Sequence, residues 1–145
     1  MIRAVIDTNI WVSALLNPGG HPRAVLDAFT SGAFVAVIPT LVLDEIRMVL
    51  ARPRIQKRLC ITDQEIGEFV GLIAERAEVV QTGGRRFGCR DPKDEALLEA
   101  AVVDHADLLV TRDDDLKGDG ELIVKMREAG VAIVSVATFL RLLAR

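Results

Sequence analysis

Residues 2–9 read IRAVIDTN, and the fold class turns on how that stretch is read. Ile2 to Ile6 is a short run dominated by apolar residues, with the polar Asp7, Thr8 and Asn9 directly behind it. An apolar run without alternation suits a strand covered on both faces, as in a parallel sheet between helices. The abrupt change to DTN predicts a sharp polar turn at the carboxyl end of that strand.

The same grammar repeats along the chain. FVAVI at 34–38, Val79 with Val80, DLLVT at 107–111 and VAIVS at 131–135 read as further strands. Between them lie helical patterns. IWVSALL at 10–16 opens one, broken by Asn17, Pro18, Gly19 and Gly20, and another runs from Arg23 to Thr30 with Gly32 as its stop. Thr40 is placed to cap a helix over 41–51 that Pro53 ends. Thr62 and Glu65 form a capping box opening the next. TGGRRFGC at 82–89 reads as a loop and a candidate mobile rim. In RDPKDEALLEAAVVDHA, Asp91 as cap, Pro92 at the first helical position and Asp94 at the third mark a helix start. RDDDLKGDG at 112–120 reads as a polar loop, and helices over 121–129 and 136–145 complete the chain. Strands alternating with helices argue for one α/β domain over 1–145, built on a parallel sheet.

Composition limits the function classes. No apolar run approaches the ~20 residues of a membrane helix, and the first residues lack the pattern of a secretion signal. Cys60 and Cys89 match neither a metal-ligand spacing nor a disulfide framework, so a reduced, cytoplasmic setting is expected. The formal net charge of −3 leans away from a nucleic-acid binder, which usually carries a basic stripe. A carboxylate site also looks acidic until its cations are counted, so the charge does not decide the matter.

In open parallel sheets ligands bind beyond the carboxyl ends of the strands. Asp7 stands at one such end, and Asp113 to Asp115 follow another. Glu45, one turn into the helix after the second strand, and Asp94, at the start of a later helix, can reach the same crevice. Each has an ordinary structural role open to it: Asp7 in a turn, Glu45 in solvent, Asp94 facing a helix dipole, the aspartate triplet as a solvated turn. Together, carboxylates at one rim repel each other unless a cation supplies positive charge. Oxygen-only ligands favour Mg²⁺ or Mn²⁺, which activate water and orient phosphate. His21 and His105 have no evident nucleophile paired to them. A dinucleotide site would want a glycine-rich turn where DTN stands.

VIDTNIWVSALL, Glu45 within LVLDEI, CRDPKDEALLEAA and ADLLVTRDDDL, in this order and at these separations, closely resemble PIN-domain proteins. The likeness is to the bacterial branch that supplies toxin components of toxin–antitoxin systems, and it runs from Ile2 to about Phe139. It implies a Rossmann-like three-layer α/β/α fold with sheet order 3-2-1-4-5. It implies a metal-dependent endoribonuclease leaving 5′-phosphate and 3′-hydroxyl ends, often a homodimer and often held by a cognate antitoxin. Carried onto this chain, the four metal-binding acids are Asp7, Glu45, Asp94 and Asp113, with Asn9 orienting Asp7 or metal-bound water. Asp91 and Glu95 stand close enough to Asp94 to compete for the third place, read here as cap and outer support. Asp115 is an auxiliary ligand, and the hydroxyls of Thr111 and Ser13 are candidate partners of the carboxylates or a phosphate. Arg52 and Arg54, or Arg85 and Arg86, are the candidate substrate contacts. A domain that binds RNA or a protein partner without cutting is the competing reading.

Overall fold

The computed structural model describes residues 1–112 and 114–145, and for Asp114 and Asp115 the backbone alone. In chain order the elements are β1 (Arg3–Ile6), α1 (Thr8–Leu16), α2 (His21–Thr30), β2 (Val35–Pro39), α3 (Thr40–Leu50), α4 (Pro53–Leu59) and α5 (Asp63–Arg76). They continue with β3 (Glu78–Val80), α6 (Pro92–Val103), β4 (Leu108–Val110), α7 (Asp114–Lys117), α8 (Gly120–Glu128), β5 (Ala132–Val134) and α9 (Val136–Leu143).

Branched and apolar residues in β1, β2 and β4 are buried on both faces, which is why these strands show no alternation. The strands pair in parallel, in the order β3-β2-β1-β4-β5, as the resemblance implies. Right-handed crossovers place the helices between β1 and β3 on one face and those between β3 and β5 on the other. α9 packs against α2 and so joins the first face. Trp11 and Phe29 meet edge to face at 5.1 Å, and Phe34 and Phe139 do so at 4.9 Å, filling that side of the core. The Trp11 indole donates to the Ile6 carbonyl at 3.1 Å, fixing α1 against the end of β1.

Several local expectations hold. The Thr62–Glu65 capping box forms in both directions, and Asp91 accepts from the Lys93 backbone N–H as the α6 cap. Three need correction. α3 begins at Thr40 itself, with Pro39 as its cap, so Thr40 is helical rather than the capping residue. Pro53 does not merely end a helix; it opens α4 from the first position, where its missing N–H costs nothing. The polar run after β4 contains the short helix α7. No helix among the described residues is long and apolar enough to cross a membrane.

At the amino edge of the sheet, Arg3 ties three elements together. Its guanidinium donates to Glu78 at the start of β3 and to Asp104 at the end of α6, with N–O distances of 2.5 and 2.7 Å. The Arg3 hydrogen bond holds the Glu78 carboxyl down at about 2 from an ordinary 4.5. A carboxyl with a depressed folded-state pKa contributes stability that is whole above its ordinary value and is lost as pH falls through the depressed one. Glu78 is nearly half exposed, so screening limits the pair to about 1 kcal/mol. Arg3→Met is therefore expected to lose about that much at neutral pH. Its urea-unfolding stability should also depend less on pH between 4.5 and 2 than the parent's does.

Candidate active site

The site lies where chain direction reverses in the sheet. From β1 the chain moves outward to β2 and β3, then returns through α6 to β4 on the other side of β1. Crossovers leaving β1 and β4 in opposite directions open a crevice at their carboxyl ends.

Register explains what meets there. Ile6 pairs with Val110, so Asp7 and Thr111 fall side by side one step further on. The Asp7 N–H continues the ladder to the Val110 carbonyl at 3.1 Å, and the Thr111 hydroxyl donates to Asp7 Oδ2 at 2.9 Å. Both residues are buried, Asp7 to 1% exposure. Its other oxygen, Oδ1, accepts no hydrogen bond among the described residues. On the opposite side of β1, β2 passes directly into α3, whose first turns carry Glu45 to the same rim.

The third acid arrives on α6. Pro92 and the Asp91 cap start this helix at the crevice, so that its first turn, with Asp94 and Glu95, is buried there. The same turn delivers Lys93, which the sequence reading overlooked. The Lys93 ammonium sits 3.4 Å from Asp7 Oδ1 and 3.9 Å from Glu45 Oε1, with 13% of its side chain exposed. Burial pulls the Lys93 pKa down, but Asp7, Glu45 and Asp94 outweigh it and the net direction is upward. Burial pushes Glu45 up, with Asp7 and Asp91 adding to it; Lys93 and the Thr8 hydroxyl offset only part. The charge of one lysine thus couples carboxylates from β1, α3 and α6.

A signal for Lys93 was available. A lysine in the first turn of a helix opposes the helix dipole, which favours acids there. Placed among Asp91, Asp94 and Glu95, it is the one cation in the first turn of the helix, with Arg90 lying just before the cap.

Glu95 and Glu99 face elsewhere. Glu95 accepts backbone N–H bonds from Phe87, Gly88 and Cys89, at 2.5, 3.1 and 2.8 Å. Glu99, one turn later, accepts from Gly83 and Arg85. Both are almost fully buried. The loop over 82–89 folds around two carboxylates, and Gly88 supplies the positive φ (93°) at the bend. Glu95 therefore organises this loop, and the structure joins it to Arg86 at 3.6 Å rather than to Asp7.

The remaining candidates separate. Ser13 accepts from the Arg112 guanidinium at 3.0 Å. Asn9 is exposed in the first turn of α1 and, among the described residues, makes no hydrogen bond to Asp7. Asp113 and the Asp115 side chain lie outside the described residues. Arg85 and Arg86 are exposed on the clamped loop, with Arg85 stacked 5.4 Å over Phe87. Phe87 itself packs against the core. Arg52 and Arg54 lie past the far end of α3, and Arg52 is roughly 10 Å further along the helix direction than Glu45.

The donor set suits a hard divalent cation: oxygens only, one of them buried without a hydrogen-bond donor. Among the described residues, no group of three or more His, Cys, Asp or Glu side chains stands at a spacing that could by itself hold a metal ion. Lys93 supplies the positive charge between them.

Comparison with known proteins agrees with this architecture. A family model described as "PIN domain" matches residues 3–115. The uncharacterized protein MJ1680 of Methanocaldococcus jannaschii is 29% identical over 115 residues, covering 79% of this chain and 73% of its own length. Among solved structures, a chain from the crystal structure of VapBC2 from Rickettsia felis, bound to a DNA fragment from their promoter, superposes with a TM-score of 0.57. That match covers 92% of this chain and 98% of the other at 14% identity, a likeness of fold.

Proposed function

This chain belongs to the PIN-domain family, and we propose that it is a metal-dependent endoribonuclease using Mg²⁺ or Mn²⁺, the toxin component of a toxin–antitoxin pair. The observation that carries the reading is the meeting of Asp7 and Glu45, from different elements, on one cation position beside Asp94. A protein that only gripped RNA would gain nothing from a carboxylate cluster that repels phosphate.

In this reading Asp7, Glu45, Asp94 and Asp113 hold the ion. Thr111 fixes Asp7 by its Oδ2, leaving Oδ1 directed at the cation position. Burial of Asp7 keeps water from loosening that orientation. When bound, the ion supplies activation of the attacking water and neutralisation of charge on the phosphate. Arg85 and Arg86, exposed on the loop that leads into α6, are the proposed contacts for neighbouring phosphates. A cognate antitoxin and a second copy of the chain are the proposed partners, in a cytoplasmic setting.

The competing reading, binding without cleavage, draws on Lys93, which already offsets part of the acids' charge without an ion. A metal-titrated assay on structured and unstructured RNA separates the two. Cleavage should appear with Mg²⁺ or Mn²⁺, leave 5′-phosphate and 3′-hydroxyl ends, and vanish in EDTA. Cleavage that survives chelation, or metal-independent binding with no products, would reject the nuclease reading.

A further inference from the structure

We propose that Lys93 is a built-in competitor for the metal position, an ammonium that offsets part of the acids' charge when no ion is bound and must withdraw before one can enter. The inference rests on the metal-dependent reading above and adds how that site controls its own loading.

Three observations carry it. The ammonium lies within 4 Å of Asp7 Oδ1 and Glu45 Oε1, oxygens that a divalent ion would also need. Lys93 is largely shielded from water, so its charge acts at these carboxylates with little screening. Among the described residues Asp7 Oδ1 accepts no hydrogen bond, and the Lys93 ammonium is its ion-pair partner. A divalent ion on these oxygens would stand against the ammonium that now lies between them. Like charges a few ångströms apart in a poorly solvated site repel with little screening. A lysine stem has four rotatable carbons, so the ammonium can leave for solvent without moving the start of α6.

The consequence is a loading threshold. Without an ion the lysine relieves part of the repulsion between the acids; only enough Mg²⁺ or Mn²⁺ to displace it completes the site. Lys93 is thus a positioning residue that acts on metal occupancy rather than on substrate.

Calorimetric binding of Mn²⁺ to the full chain tests this without an activity readout. Lys93→Met should bind Mn²⁺ roughly tenfold or more tightly than the parent, as expected when one like charge is removed. Its metal-free melting temperature should fall, and saturating Mn²⁺ should raise that temperature by more than in the parent. Lys93→Gln serves as a second uncharged variant, with folding followed by far-UV circular dichroism. A variant that folds only when Mn²⁺ is added also supports the proposal. Equal or weaker Mn²⁺ affinity in both variants overturns it, as does misfolding of both that Mn²⁺ does not rescue. Asp7→Asn distinguishes the two levels. If the parent binds Mn²⁺ and Asp7→Asn does not, the metal reading stands even where Lys93 proves irrelevant. If neither the parent nor the Lys93 variants bind Mn²⁺, both readings fall together.

Discussion

Asp7→Asn should cut RNA cleavage by about a thousandfold or more while leaving the chain folded, an effect of about 4 kcal/mol on the barrier. The substitution changes one oxygen for an amide nitrogen at nearly constant volume. The amide oxygen can still accept the Thr111 hydroxyl, so the ladder between β1 and β4 keeps its polar end. What is lost is the anionic oxygen aimed at the cation position. Lys93 keeps Glu45 and Asp94 as neighbours, so the variant does not leave an isolated buried charge. Single-turnover cleavage at saturating Mn²⁺, with circular dichroism on the same sample, checks both halves. Near-normal cleavage by a folded Asp7→Asn protein would remove Asp7 from the machinery.

The second large effect is expected at Glu95, which takes no part in the acid cluster as seen here. Glu95→Ala removes the shared acceptor of the Phe87, Gly88 and Cys89 amides and the partner of Arg86. Hydrogen bonds to a charged group contribute about 1.5–3 kcal/mol each, but released loop amides can find water. A net loss of about 2–4 kcal/mol follows for the fold. Hydrogen exchange should accelerate at those three amides first, while strands β1 and β4 keep most of their protection. RNA binding should weaken as well, because Arg85 and Arg86 ride on that loop. Unchanged exchange at Phe87 to Cys89 would show that the loop is held by other contacts, and Glu99, with its two amides, would be the next to replace.

The sheet was legible because its strands declare themselves locally: apolar runs with no alternation, each bounded by polar or glycine punctuation. The helix starts at Thr62 and Asp91 were legible for the same reason, since a capping interaction spans only two or three residues. α4 was missed because proline both ends one helix and suits the first position of the next. The loop over 82–89 looked mobile because glycine and arginine are its visible content. The two glutamates that hold it lie 4 residues apart, one turn along α6.

The sequence by itself determined the α/β alternation, the parallel sheet and which acids stand at strand and helix ends, because periodicity and punctuation are local properties of the chain. Only the tertiary structure decided which of those acids share an environment. Asp94 and Glu95 are adjacent in the chain, yet the 100° step of a helix sends one toward Lys93 and the other under the loop. Lys93 was likewise invisible as a partner of Asp7, 86 positions away, until parallel pairing and the return of α6 brought them together. At that distance along the chain, proximity is created by packing alone, and with it the balance of charge on which the site depends.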